Sequence, residues 1–170
     1  MSRFRHETLN KMMRQHGWIA TGVAGKAIYT VGLMTKFDHP EVAVHAMAGG
    51  QSKSIIDVAV QLLREGRRLE PGICNDIAEG YPALILDVHP SNFPDWFGQA
   101  LGYYGAGLKI RQIVWCDTMG KFPGDPDDQH RFAMQKLFDV RRPEYDDPVD
   151  GADCSCPLCA EERAARARFN

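Results

Sequence analysis

Three cysteines near the carboxyl end have the type and spacing of metal ligands. They form the pattern Cys154-x-Cys156-x-x-Cys159, and its second half has the spacing of a zinc knuckle. Thiolates are soft ligands that suit Zn²⁺, and the helix predicted to open at Cys159 would lower the pKa of that thiol. We therefore predict one structural zinc ion in this tail. An iron–sulfur or copper role, a redox role and a tail with incidental cysteines are the alternatives.

The sequence does not identify the fourth ligand of this zinc ion. A tetrahedral structural site needs four ligands, and the tail supplies three. Cys74, placed in a loop, and Cys116, at a strand end, are two candidates. A histidine such as His6 or His130, or a residue of a second chain, is the other possibility. Because a lone cysteine is often a small buried hydrophobe, Cys74 and Cys116 each have that structural interpretation as well.

A histidine and two carboxylic acids form the second candidate chemistry. His39 and Glu41 in the segment His39-Pro40-Glu41, together with Asp117, could transfer protons if the fold brings them around one cleft. The structural alternative is that the His-Pro-Glu segment is a turn with an exposed edge and that Asp117 caps its own turn. No nucleophile, base and orienting group stand at a recognised spacing, and no Walker loop or dinucleotide fingerprint is present.

Composition limits the partners and the location. The 170 residues, 44% of them hydrophobic, are enough for one domain with a core. The 20 basic and 22 acidic residues give a net charge of -2, which does not favour a nucleic-acid or anionic-membrane partner. The sequence has no secretory segment and no apolar run of about 18 residues, and its five cysteines are an odd number. We expect a cytoplasmic protein whose partner, if any, is another protein or a second copy.

Hydrophobic periodicity predicts the elements that must position these groups. Helices are predicted near 5–16, 54–66, 94–105 and 127–138, the second of them begun by a capping box of Ser54 and Asp57. Strands are predicted over 18–23, 27–34, 40–47, 83–89 and 108–116. Most strand pairs are joined too closely for parallel crossovers. The fold class is therefore α+β, a single domain with a mostly antiparallel sheet flanked by helices.

Three regions follow along the chain. Residues 1–140 contain the apolar stripes of the α+β domain, and residues 141–153 form an acidic, proline-containing linker with too few apolar groups to fold alone. Residues 154–170 hold the cysteine knuckle and a short helix.

Several segments resemble a known family. Gly17-Trp18, YTVGL at 29–33, HPE at 39–41 and QIVWCDTMGKFP at 112–123 are similar to a bacterial and phage family, the domain of unknown function numbered four-two-six-two. The likeness covers roughly residues 5–138 and leaves out the cysteine tail. Cys116 and Gly124 stand where that family commonly has proline and tryptophan, so the resemblance implies no family-wide role for Cys116. It implies fold boundaries and no activity.

Two functional hypotheses follow. The first is a small accessory or interaction protein of bacterial or phage origin with a zinc-binding tail, and it is favoured because the metal pattern is good and no catalytic constellation is complete. The alternative is a small enzyme with an acid/base site near His39, Glu41 and Asp117. A flavin-binding barrel is a third hypothesis, suggested only by the β-rich first half.

Overall fold

Six strands form one mixed sheet in the described part of the chain. The structure, a computed structural model, describes residues 11–23, 27–45, 49–117, 120–123, 125 and 135–139. The strands are β1 (Ile19–Val23), β2 (Ala27–Val31), β3 (Glu41–His45), β4 (Gly72–Ala78), β5 (Tyr81–Asp87) and β6 (Ile110–Trp115). Their order is β1-β2-β3-β6-β5-β4, and all neighbouring pairs are antiparallel except β3 with β6. The prediction of an α+β fold with a mostly antiparallel sheet is confirmed.

Helices cover both faces of this sheet. They are α1 (residues 11–16), α2 (Leu33–Phe37), α3 (Gly49–Arg64), α4 (Phe93–Trp96) and α5 (Gly98–Tyr104), with 3-10 turns at Pro90–Asn92 and Gly105–Gly107. The helix predicted for 5–16 is seen in its described half, and the helix predicted for 94–105 is divided at Phe97 into α4 and α5. Within the described residues, none of the helices combines the length and the apolar character that crossing a bilayer requires.

Two apolar cores lie on opposite faces of the sheet because side chains alternate along each strand. Val42 and Val44 of β3 face α3, whose apolar stripe completes the first core. Ala43, between them, belongs to the second core, which includes Phe97 and side chains of α4 and α5 on either side of it. With both faces covered, all five residues of β3 are buried. The sheet is thus a rigid support for groups at its two ends.

The glycine at position 32 ends β2 earlier than predicted. Its φ of 120° departs from strand geometry, and α2 starts directly after it. A β-carbon on Gly32 would lie 2.5 Å from the carbonyl oxygen of Gly17, so glycine is required there. The predicted continuation of the strand to residue 34 is therefore wrong.

Two further local predictions fail for physical reasons. α3 begins at Gly49, so Ser54 lies inside the helix and its hydroxyl donates to the Gly50 carbonyl at 3.1 Å instead of capping. Cys74, predicted in a loop, lies in the edge strand β4, whose exposed and polar residues hide the strand pattern.

Residues 135–138, which we name the strap, form an extended segment across the sheet face that carries α4 and α5. The sequence predicted the end of a helix here. Instead, Gln135 and Phe138 are buried, and no described residue between 135 and 139 is helical. The backbone of the strap is bound by side chains of the domain, so this segment belongs to the folded unit.

Candidate functional site

Glu41 is a fully buried carboxylate whose oxygens are bound by the chain's own donors. Its Oε1 accepts hydrogen bonds from the backbone N–H groups of Gly32 (2.9 Å) and Met34 (3.1 Å) and from the Tyr104 hydroxyl (2.7 Å). Its Oε2 accepts one from the Thr30 hydroxyl (2.6 Å). The two backbone donors lie at the N-terminal end of α2, which has no side-chain cap of its own. Glu41 therefore caps this helix from the next strand.

The donors around Glu41 are themselves fixed. The Thr30 hydroxyl also accepts from the Val42 N–H at 2.8 Å, which joins β2 to β3 through a side chain. Burial, followed by the charge and the hydrogen bond of Glu41, raises the pKa of the Tyr104 phenol well above its usual range. The phenol is thereby held in its protonated form, in which it donates to Glu41. A substrate that reached this carboxylate would have to displace donors of the chain itself.

His39 is buried, and both nitrogens of its ring are bound by backbone groups. Nδ1 lies 2.7 Å from the carbonyl oxygen of Pro40, which can only accept, so Nδ1 carries the proton and donates. Nε2 accepts from the Leu69 N–H at 3.2 Å. Burial, with added contributions from the charges of Arg111 and Arg68, lowers the pKa of the imidazole. His39 is therefore a neutral clamp on the segment that follows α3.

A cleft of about 780 Å³ opens beside His39, at the end of the sheet where β3 and β6 begin. Its apolar lining includes Val88, Phe93, Leu108 and Ile110, and its charged lining is Asp38, Arg68, Asp87, Lys109 and Arg111. Arg111 binds Asp87 (Nε to Oδ1, 3.2 Å) and Glu70 (Nη2 to Oε2, 2.8 Å). The Arg111 hydrogen bond is also the main cause of the lowered pKa of Glu70. This volume suits a small molecule, and at its wall Arg111 and Asp87 are already paired with each other.

Asp117 lies at the opposite end of β6 from the other two candidates. Glu41 pairs with Ile110 at the start of β6, whereas Asp117 follows the last residue of that strand, Trp115. At a rise of about 3.3 Å per residue, the two ends of this strand are about 17 Å apart. Oδ1 of Asp117 accepts from the Lys121 N–H at 2.9 Å, so Asp117 caps its own turn. His39 and Glu41 are neighbours in sequence whose side chains bind different groups, and Asp117 does not lie with either of them.

The two described cysteines lie on different sides of the sheet. Cys74 pairs with Ala83 and Ala83 with Trp115, so these side chains share the α3 face, and Cys74 packs against the first core. Cys116 follows Trp115, and strand alternation directs it to the other face. Burial, followed by the charge of Asp117, raises the pKa of the buried Cys116 thiol.

The tail ligands cannot be placed on this frame, because Cys154, Cys156 and Cys159 lie outside the described residues, as do His6 and His130. Within the described ranges, no group of three or more metal-binding side chains comes together.

Three polar residues at this frame were missed by the sequence interpretation. Tyr104 falls in the helix predicted near 94–105, and Arg111 and Gln112 fall in the strand predicted over 108–116, but none of the three was predicted to bind a polar group of the site. Each of the latter two interrupts an otherwise apolar strand, and a polar side chain in such a strand must find internal partners. That signal was present in the sequence, whereas the partners are supplied by distant segments.

Comparison with known proteins identifies the family. The model of the family described as Domain of unknown function (DUF4262) matches residues 12–129, which is more than half of the chain. The chain therefore belongs to this family, as its motif segments indicated. No curated protein and no solved structure matches the sequence.

Proposed function

We propose that this member of the DUF4262 family is a non-enzymatic accessory or interaction protein whose C-terminal tail binds zinc through Cys154, Cys156 and Cys159. The observation that carries the first half of the proposal is the saturation of Glu41. A general acid or base must reach a substrate proton, and this carboxylate is buried under four donors of its own chain. Its position in the HPE segment is explained by a structural role.

The enzyme alternative needs His39, Glu41 and Asp117 to act together. His39 has both ring nitrogens engaged, and Asp117 caps a turn beyond the other end of β6. All three groups are held by backbone hydrogen bonds, which would have to break before the groups could act together in proton transfer. The cleft beside His39 supports ligand binding more readily than acid/base chemistry.

A protein partner or a second copy is supported by the outer edge of the sheet. Ile73 in β4 is 59% exposed on one face of the β4–β5 hairpin, and Tyr81 in β5 is 52% exposed on its other face. Exposed apolar side chains at a sheet edge are typical of contact surfaces. The net charge of -2 gives no support to a nucleic-acid or membrane partner. A cytoplasmic location and a bacterial or phage origin complete the proposal.

The zinc half rests on the spacing of the tail cysteines, and the fold sharpens the choice of the fourth ligand. Because Cys74 and Cys116 lie on opposite faces, at most one of them can join the tail at one ion without a change in the sheet. Cys74 is partly exposed, whereas Cys116 is buried. Cys74 is thus the better placed of the two to meet a ligand set from the tail.

Elemental analysis of the full chain, purified under reducing conditions, tests this proposal. We expect about one zinc per chain, or about half if two chains share an ion, and light scattering would then report a dimer. Cys156→Ser should remove the metal. Cys74→Ser and Cys116→Ser are matched controls, of which no more than one should lose zinc. Protein that takes up no zinc after supplementation would contradict the metal proposal.

A further inference from the structure

Side-chain amides, in place of a strand ladder, hold the strap on the sheet. Gln112 in β6 donates to the carbonyl of Lys136 at 2.7 Å and accepts from the N–H of Phe138 at 2.8 Å. Gln135 accepts from the Trp115 N–H at 3.1 Å and donates to the Trp115 carbonyl at 3.2 Å. The strap therefore depends on a small number of specific side-chain contacts and can separate from the sheet without breaking a strand pair.

Phe138 anchors the far end of the strap. Its ring is fully buried and lies 5.0 Å from the ring of Trp96, 5.4 Å from that of Phe97 and 5.4 Å from that of His45. Its carbonyl accepts two further hydrogen bonds, at 2.7 and 3.0 Å, from the segment that leads into α4. The strap thus fills an aromatic groove formed by His45, Trp96 and Phe97.

His45 is the titratable group in this groove. It is the last residue of β3, it is 8% exposed, and its Nδ1 accepts a hydrogen bond from the Lys136 N–H at 2.9 Å. An Nδ1 that accepts carries no proton, so the ring is neutral with its proton on Nε2. The Lys136 ammonium lies over the rings of Trp96 (5.3 Å) and Phe138 (5.9 Å). Burial, with a contribution from Lys136, lowers the pKa of His45.

We propose that His45 is a proton-controlled latch, and that uptake of a proton at its Nδ1 releases the strap from the sheet face while the sheet stays folded. A protonated Nδ1 is a donor that faces the Lys136 N–H, so the hydrogen bond is lost and two donors oppose each other. The new charge is also buried beside the Lys136 ammonium, which is the charge that acts on the imidazole among the described residues. Asp139, the carboxylate that directly follows the strap, makes no contribution to the lowered pKa of His45. Release of the strap separates the two donors and exposes the new charge and the Lys136 N–H to water. It also uncovers the aromatic groove.

The release is confined to the strap because β3 has its own backbone partners. His45 pairs with Ala27 of β2, and the preceding residues of β3 pair with β6 in register. These contacts do not use the imidazole. One proton can increase the ratio of open to closed strap by at most tenfold for each pH unit, which sets the size of the effect.

Hydrogen exchange measured by NMR on the full chain tests the latch. Between about pH 7.5 and about pH 5, and after correction for the intrinsic pH dependence, protection of the Lys136 and Phe138 amides should fall by up to tenfold per pH unit. Protection of the Ile113 amide in β6 should change much less. Equal loss at all three amides would mean global unfolding and would overturn the proposal, and so would constant protection of the strap.

Two variants separate the latch from a general effect of acid. His45→Gln keeps an acceptor near the Lys136 N–H but cannot take up a proton, so strap protection should lose its pH dependence. His39→Gln, which removes the other buried imidazole, should leave that dependence in place.

If His45→Gln does not fold, the NMR titration of the His45 ring in Phe138→Leu gives the same information. A weakened strap must bring the pKa of His45 closer to its ordinary value, because coupling between two events is reciprocal. An unchanged titration would overturn the proposal.

Discussion

Replacing Glu41 with alanine should destabilise the domain strongly, because the carboxylate is the shared acceptor for two backbone N–H groups and two hydroxyl groups. A buried N–H left without an acceptor costs about 1–3 kcal/mol, so the two backbone donors alone account for about 2–6 kcal/mol. The hydroxyls of Thr30 and Tyr104 can rotate and add less. Since domains are stable by about 5–15 kcal/mol, the variant should lose a large part of its stability and unfold at a clearly lower urea concentration.

Glu41→Gln provides the graded comparison. The amide keeps one oxygen for the donors at the start of α2 and offers an NH₂ group to the Thr30 hydroxyl, which can turn to accept it. The change then loses the added strength of charged hydrogen bonds, about 1–2 kcal/mol. Glu65→Ala, at an exposed position near the end of α3, is the matched control and should change stability by less than about 0.5 kcal/mol.

Urea unfolding followed by circular dichroism gives these differences directly, provided that the slope m is unchanged. The order should be Glu65→Ala, then Glu41→Gln, then Glu41→Ala, from the smallest loss to the largest. A catalytic carboxylate behaves differently, since its replacement is commonly neutral or stabilising. A Glu41→Ala domain within about 1 kcal/mol of the unaltered protein would refute the structural role of Glu41 and revive the enzyme alternative.

Three further outcomes follow from the same contacts. Gly32→Ala should cost more than about 3 kcal/mol because of a backbone collision, whereas Gly80→Ala, where the φ is also positive but the space is open, should cost about 1 kcal/mol in the same urea assay. Phe138→Ala should cost about 3–5 kcal/mol by thermal or urea unfolding, and a loss below about 1 kcal/mol would show that the strap is not part of the core. The urea midpoint should fall as the pH drops below about 6.5, because His39 and His45 have lowered pKa values and the unfolded chain therefore takes up protons first. Equal midpoints at about pH 7.5 and 5.5 would contradict this linkage.

The sequence was informative where a pattern is local. The β1–β2 hairpin, α3 and β6 follow from periodicity because each has one or two faces that pack on a core. β4 was missed because an edge strand with Asn75 and Asp76 on its exposed side has no apolar alternation. The strap was mistaken for a helix because its buried residues, Gln135 and Phe138, are also three apart, a spacing that suits a helix face.

The hydrogen-bond partners of the candidate site residues could be predicted only where they are close in sequence. Asp117 was correctly given a turn-capping alternative, since its partner Lys121 is close in sequence. Neither interpretation of the His-Pro-Glu segment anticipated two buried polar groups. The partners of Glu41 come from positions 30, 32, 34 and 104, and the partner of His39 Nε2 is at position 69. Such partnerships depend on chain crossings that one sequence does not reveal.

Several polar residues of the family motifs hold turns at the ends of the sheet. Thr30 and Gly32 in the YTVGL segment meet Glu41 of the HPE segment, and this contact fixes the turn between β2 and α2. Asp117 closes the turn after β6 at the other end of the sheet. The surfaces of the described residues that these turns leave open to a partner or ligand are the cleft beside His39, the exposed side chains of the β4–β5 hairpin and the groove under the strap. The proposed His45 latch links the last of these to the proton concentration.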